Sequence, residues 1–168
     1  MTAKGDYIIE PLGPNHERAA FSCGVPSLDE YLQRQASQDQ KRNLAAVFIL
    51  TPDGKSVAGF YTLSAHAIEA DRLPDDLARK LPRFPIPATL LGRMAIAQTM
   101  RGQGLGEFLL LHSLERALQA SRQVASWAVL VDAKEGAREF YIKLDFIPFP
   151  GQPNRLFLPM KTIEKMFD

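Results

Sequence analysis

Apolar and polar positions along this chain alternate between strand-length runs and helical repeats, and the order of those segments predicts the fold. Residues 6–12, DYIIEPL, make a first strand stopped by Gly13-Pro14. Ser27 and Glu30 stand at capping-box spacing, and Leu28, Tyr31, Leu32 and Ala36 keep one face of a helix expected from Ser27 to about Arg42. Its other face is rich in glutamine, with Arg34, Lys41 and Arg42 towards the end. Residues 44–50, LAAVFIL, and 56–67 are two strands joined through Thr51-Pro52-Asp53-Gly54-Lys55 as a hairpin. A short helix is expected over 75–81, closed by Pro82, Pro85 and Pro87, which force an extended connection. Then come a strand over 90–97, a helix from Gly104 to about Arg122, a strand over 126–131, a helix over 132–144 with Ala137, Phe140, Tyr141 and Leu144 on one face, and strands over 146–148 and 156–160.

The stretch LLGRMAIAQTMRGQGLGEFLLL, residues 90–111, organises the rest. It is a strand, a glycine loop and a helix in sequence. Gly102, Gly104 and Gly106 remove the Cβ atoms that keep a ligand off the backbone, and the loop opens a helix whose first N–H groups lack partners and carry partial positive charge. That is a place for a phosphate or pyrophosphate. A dinucleotide loop, G-x-G-x-x-G, needs a third glycine at 107, where Glu107 stands, and no Gly-Lys-Ser/Thr of a nucleotide P-loop is present. The plain alternative is a tight strand-to-helix turn with no ligand.

Composition narrows the class. At 168 residues, 46% hydrophobic and 23% charged, the chain fits one domain with a sizeable core. No apolar run approaches the 18 or more residues of a membrane span, the N-terminus has no apolar signal core, and the cytoplasm is the expected compartment. The single cysteine, Cys23, excludes an internal disulfide and reads as a small buried residue sooner than a nucleophile. His16, His66 and His112 show no metal-ligand spacing, so no metal is expected. A net charge of +1 gives no global case for a nucleic-acid partner. The distribution is less even, because Arg79, Lys80, Arg83, Arg93 and Arg101 follow one another with no Asp or Glu between Leu77 and Gly106. Such a run can build a positive surface for a polyanion, or serve as solvated helix and loop positions.

The string Arg101-x-x-Gly104-x-Gly106 resembles the acyl-CoA pyrophosphate loop of the GNAT superfamily of N-acetyltransferases, and the segment order matches that superfamily along the whole chain. The resemblance implies one GNAT domain over 1–168, an α+β fold with a mixed central sheet of six to seven strands, flanked by about four helices. It also implies a splay between the two middle strands, here about 90–97 and 126–131. It implies acetyl-CoA as co-substrate, held by backbone groups of Met94, Ala95 and Ile96 along the pantetheine arm. The diphosphate would lie on the main chain of Arg101, Gly102, Gln103, Gly104, Leu105 and Gly106. The Phe140-Tyr141 pair matches the position at which this superfamily commonly carries its acid, which makes Tyr141 the expected proton donor to the CoA thiolate. The alternative is a core tyrosine with a satisfied hydroxyl.

No carboxylate or histidine stands out as a general base. A lysine amine with pKa about 10.4 is neutral in only a few molecules per ten thousand at pH 7, whereas an α-amine near 7.7 to 8.0 is neutral in roughly a tenth or more. The missing base therefore favours an α-amino nucleophile. Phe21-x-Cys23-Gly24-x-x-x-Leu28-Asp29-x-Tyr31-Leu32, followed by Pro82 to Pro87 and Leu91-Gly92-Arg93-Met94-Ala95, is similar to the GNAT toxins of bacterial type II toxin-antitoxin pairs. That similarity implies acetylation of the α-amine of aminoacyl-tRNA and a block of translation. It also implies a ribbon-helix-helix antitoxin and a homodimer. Charge alone nominates Arg34, Lys41, Arg42, Arg79, Lys80, Arg83 and Arg93 for tRNA. Two other functions stay open: acetylation of a small-molecule amine or protein N-terminus, and a non-catalytic acyl-CoA-binding module.

Overall fold

A computed structural model describes residues 3–168. The strand order is β1-β2-β3-β4-β5-β6-β8-β7, with β1 at Ala3–Lys4, β2 at Tyr7–Pro11, β3 at Ala46–Thr51, β4 at Gly59–Ile68, β5 at Ile86–Ile96, β6 at Ala128–Asp132, β7 at Ile147–Phe149 and β8 at Gln152–Pro159. The helices are α1 (Pro26–Glu30), α2 (Ala36–Lys41), α3 (Asp75–Ala78), α4 (Leu105–Ser121), α5 (Arg138–Ile142) and α6 (Met160–Met166). The sheet is mixed, as the family resemblance implies, and has eight strands where six to seven are expected, with a two-residue β1 at its edge. The chain forms two compact units, Met1–Ser64 with Gly92–Ser113, and Ala65–Leu91 with Leu114–Asp168.

In the first unit, β1, β2, β3 and β4 form antiparallel ladders. The β3–β4 hairpin is registered from Ala46↔Leu63 to Leu50↔Gly59. Its turn is tied by Asp53, whose Oδ1 accepts the N–H groups of Lys55 (2.8 Å) and Ser56 (2.7 Å) and whose Oδ2 accepts the Ser56 hydroxyl (3.1 Å). These backbone bonds favour the ionised form and pull the carboxyl down to about 2. A depressed carboxyl stabilises the fold above its unfolded pKa, near 3.8, and that contribution disappears as pH falls towards 2. Asp53→Ala should therefore lower the melting temperature at pH 7 and flatten its dependence on pH between about 4 and 2, read by calorimetry in acidic buffers.

The first helical run begins at Pro26, not at Ser27. Val25 is extended and its carbonyl accepts the N–H groups of Leu28 (3.0 Å) and Asp29 (3.2 Å), which puts Pro26 at the first helical position and carries Ser27 past the cap. No side chain caps this end, so the expected capping box is absent. The run also contains a π turn over Tyr31–Gln35, where the Ala36 N–H bonds the Tyr31 carbonyl. Tyr31 and Leu32 face a core of Phe21, Cys23, Leu28, Val47, Ile49, Phe60 and Ala95. Phe60 is fully buried and meets Phe21 edge-on (centroids 5.7 Å) and Tyr31 stacked (6.3 Å). Each such pair adds about 0.5–1.5 kcal/mol beyond area burial, which fastens the segment before α1 to β4.

In the second unit, β5 and β6 run parallel from Ala88↔Ala128 to Leu91↔Val131, β6 pairs antiparallel with β8, and β8 with β7. A parallel pair needs a long crossover, and α4 supplies it. Leu105, Leu109, Leu110, Leu114, Ala117 and Leu118 give that helix one buried face. Phe157 anchors the second core, stacked on Trp127 (5.7 Å) and edge-on to Phe149 (5.1 Å). Two expectations fail here. The helix expected over 132–144 is only Arg138–Ile142, because Asp132 belongs to β6 and Gly136 is left-handed at φ +85°. The chain also ends in α6, which buries Met160 and Ile163 and which the strand expected over 156–160 leaves out.

Candidate active site

Strand β5, the turn after it and the start of α4 lie in the first unit from Gly92 onward. The Arg93 N–H donates to Thr62 Oγ1 (3.0 Å) and the Ala97 N–H to the Ala58 carbonyl (2.8 Å), so alternate amides of β5 face β4. By the period of a strand, Ala95 shares that direction and the amides of Met94 and Ile96 face the opposite edge. The parallel ladder with β6 ends at Leu91, five residues before β5 does. The outward edge at Met94 and Ile96 is thus the part of β5 suited to pairing with an extended amide-bearing ligand.

A 3-10 turn over Gln98–Met100 follows, and α4 begins at Leu105 with its first bond from the Phe108 N–H to the Gly104 carbonyl (3.1 Å). The N–H groups of Leu105, Gly106 and Glu107 are consequently the unpaired donors of the helix start. Gly102 (φ +82°) and Gly104 (φ +74°) are both left-handed, a conformation that side-chain-bearing residues adopt only with strain. Residues 101–104 are exposed, and a Cβ on Gly102 would meet nothing within 4 Å. The expected diphosphate residues are therefore contiguous in space, on an open turn that ends in helix-start donors. Arg101 differs in one respect: its guanidinium is turned to the Cys23 carbonyl, so the turn's own contribution is main-chain.

That contact exposes residues the sequence pattern left without a role. Ser22 accepts the Gln98 N–H through its carbonyl (2.9 Å), and the Cys23 N–H donates to Asp29 Oδ1 (2.8 Å). Gly24 is left-handed at φ +90°, and a Cβ there would come 2.7 Å from Gln98 Nε2 and 3.4 Å from the Arg101 guanidinium. Cys23 is buried, and burial followed by the hydrogen bond and charge of Asp29 pushes its thiol pKa up. A thiol of that kind is a packing residue. The sequence signal for this arrangement is the string that holds Phe21, Cys23, Gly24 and Asp29 together.

Tyr141 lies on α5 in the second unit, 8% exposed, with its ring edge-on to Phe140 (5.3 Å) and Phe146 (5.4 Å). Its hydroxyl makes no hydrogen bond to another described residue, and burial pushes its pKa up to about 12. Burial thus favours the protonated phenol, which is held by its ring.

Arg34, Lys41 and Arg42 are exposed on and after the first helical run in one unit, and Arg79, Lys80 and Arg83 are exposed in the other. Arg93 is half-buried, its guanidinium 3.7 Å from the centroid of the Tyr31 ring. Tyr31 in turn donates to Asp39 Oδ2 (2.9 Å), and burial with that bond lifts its pKa to about 12. Arg93 is thus occupied as a packing cation. A cleft of about 680 Å³ in the second unit is lined by Arg79 and Arg83 but also by Glu69, Asp71 and Asp75. The run that is acid-free along the chain is not acid-free in space. Among the described residues no group of three or more His, Cys, Asp or Glu could hold a metal, and no helix is long and apolar enough to cross a membrane.

Residues 43–148 match the acetyltransferase (GNAT) domain model. A tRNA-acetylating toxin of Mycobacterium tuberculosis (strain ATCC 25618 / H37Rv) is 36% identical over 143 residues, 84% of this chain and 85% of the relative. A solved structure of AtaT complexed with acetyl-methionyl-tRNAfMet superposes with a TM-score of 0.90 at 32% identity, covering 97% of this chain and 100% of that one. A tyrosine-to-phenylalanine mutant of AtaT, bound to the C-terminus of the antitoxin AtaR and to acetyl-CoA, superposes with a TM-score of 0.82 at 31% identity over 97% of this chain and 99% of that one. The chain belongs to the GNAT family: it is an acetyltransferase with the mixed-sheet GNAT fold, and acetyl-CoA is its acyl donor.

Proposed function

We propose that this protein is the toxin of a type II toxin-antitoxin pair and acetylates the α-amine of aminoacyl-tRNA, which stops translation. The observation that carries the reading is its likeness, over nearly the whole of both chains, to AtaT complexed with acetyl-methionyl-tRNAfMet. The tRNA-acetylating relative supports the same substrate, and the AtaT complex with the C-terminus of AtaR supports an antitoxin partner. The family resemblance supports a ribbon-helix-helix antitoxin and a homodimeric toxin acting as a single GNAT domain, and charged tRNA as substrate favours the cytoplasm.

In the chemistry proposed, the outward amides of Met94 and Ile96 pair with the pantetheine arm, and the N–H groups from Arg101 to Gly106 hold the diphosphate. The neutral α-amine attacks the thioester carbonyl, the N–C bond forms, the C–S bond breaks, and the sulfur leaves as a thiolate. Tyr141 protonates the thiolate, and the proton released by the amine returns to the phenol through water. An α-amine supplies its own neutral fraction near pH 7, so the absence of a base beside the nucleophile costs little.

For tRNA, the exposed cations Arg79, Lys80 and Arg83 stand next to Phe84, which is 66% exposed and offers a ring on which an unpaired base can stack. Labelled acetyl-CoA incubated with the protein and total charged tRNA should put label into RNA, released by mild base together with the aminoacyl group. Label appearing only in small amines or protein N-termini would favour ordinary amine acetylation, and binding without transfer would favour a silent acyl-CoA module.

A further inference from the structure

We infer that the segment from Phe21 to Asp29 is a positioning clamp for acetyl-CoA, in which Asp29, acting through the Cys23 backbone and the Arg101 guanidinium, holds the 98–106 turn in its cofactor-receiving conformation. The inference rests on reading that turn as the acetyl-CoA loop.

An exposed turn with two left-handed glycines has little to hold it. Local opening is cheap where backbone bonds are few and solvent-exposed, and a ligand that must first order such a turn binds correspondingly weakly. Three ties reach this turn from distant sequence. The Gln98 N–H donates to the Ser22 carbonyl (2.9 Å), the Arg101 guanidinium donates to the Cys23 carbonyl, and the Tyr7 hydroxyl donates to Met100 Sδ (3.3 Å). Two of the three end on consecutive carbonyls, so the position of Ser22 and Cys23 sets the position of the turn.

Those carbonyls are fixed in their own right. Asp29, half-buried in the first turn of α1, accepts the Cys23 N–H at 2.8 Å, a bond strengthened by the ionised acceptor. Phe21 pins the other side of the pair by its ring on Phe60. Gly24 holds the left-handed φ of +90° that this segment needs, so a side chain there would strain its backbone, while its Cβ would meet the movable end of Gln98 at 2.7 Å. A relay thus runs from the Asp29 carboxylate to the Cys23 peptide and from its carbonyl to Arg101. Asp29 touches no substrate in this account; it acts by keeping the turn ready.

Acetyl-CoA titrated calorimetrically into the full chain, with steady-state transfer to charged tRNA, tests the clamp. Asp29→Ala should raise both Kd and KM for acetyl-CoA about tenfold, with kcat at saturating acetyl-CoA and KM for tRNA within about twofold of the parent. Asp29→Asn keeps an oxygen that accepts from the Cys23 N–H and should stay within about threefold. Gly24→Ala, a second route to the same displacement, should show the same acetyl-CoA-selective loss. The clamp is overturned if either folded variant binds acetyl-CoA like the parent, if kcat falls while KM does not, if Asn does not rescue, or if neither variant folds. Failure of the parent chain itself to bind acetyl-CoA would instead remove the loop reading on which the clamp depends.

Discussion

Tyr141→Phe should cost about 10²- to 10³-fold in kcat for acetyl transfer while leaving the acetyl-CoA Kd within about twofold, the range expected for loss of one positioned proton donor. The substitution removes one oxygen from a ring that Phe140 and Phe146 hold on two sides, so packing is preserved and the effect is chemical. In the proposed step the phenol, pushed up to about 12 by burial, would protonate a thiolate whose acid has a pKa of about 8.5. Handing over its proton completely is therefore uphill by about 5 kcal/mol as an isolated step. The hydroxyl must act while charge develops on sulfur, and the proton coming off the amine restores it. The pH profile carries the same signature. Activity should rise as the α-amine deprotonates near pH 7.7 to 8.0 and then stay level, with no falling limb from Tyr141 below about pH 11. Expression of the parent chain should arrest growth, and expression of Tyr141→Phe should not.

Gly104→Val should raise the acetyl-CoA Kd by at least about 100-fold and lower kcat/KM in step. Gly104 sits at φ +74° immediately before α4, and a β-branched residue strains that backbone by about 1–3 kcal/mol and should displace the helix-start donors from their ligand-receiving positions. A 1.4 kcal/mol loss is tenfold in affinity, so strain and obstruction together reach the expected factor. Because residues 101–104 are exposed and the buried face of α4 begins at Leu105, thermal stability should fall much less than cofactor affinity. Calorimetric binding paired with thermal unfolding of the same sample separates the two.

The strands and the glycine loop were legible because their signals are local. Alternation and turn residues marked β2, the β3–β4 hairpin and the β5–loop–α4 stretch within a few positions of their observed bounds. What failed had competing local signals. Ser27 and Glu30 carry a capping pattern, but Pro26 with its fixed φ starts the helix first. Ala137 fits the helical face of α5, yet the left-handed Gly136 before it shortens the helix. Buried Met160 and Ile163 are a single i,i+3 pair, too brief a repeat to distinguish α6 from the end of a strand. Long-range features left no local trace. Arg101 and Cys23 are 78 positions apart, so nothing near either residue announces their bond. The basic run from Arg79 onward looks uniform along the chain, and only folding brings Glu69, Asp71 and Asp75 to the same cleft as Arg79 and Arg83.

We propose that one bound acetyl-CoA engages the main chain from Arg101 to Gly106 with its diphosphate and takes its proton from the Tyr141 hydroxyl. A crystal structure of the protein with acetyl-CoA tests it most directly. Diphosphate oxygens are expected about 2.7–3.2 Å from N–H groups between Gly102 and Gly106, with the sulfur within about 4 Å of the Tyr141 oxygen. Acetyl-CoA bound elsewhere, or bound to the turn with its sulfur far from Tyr141, would contradict it.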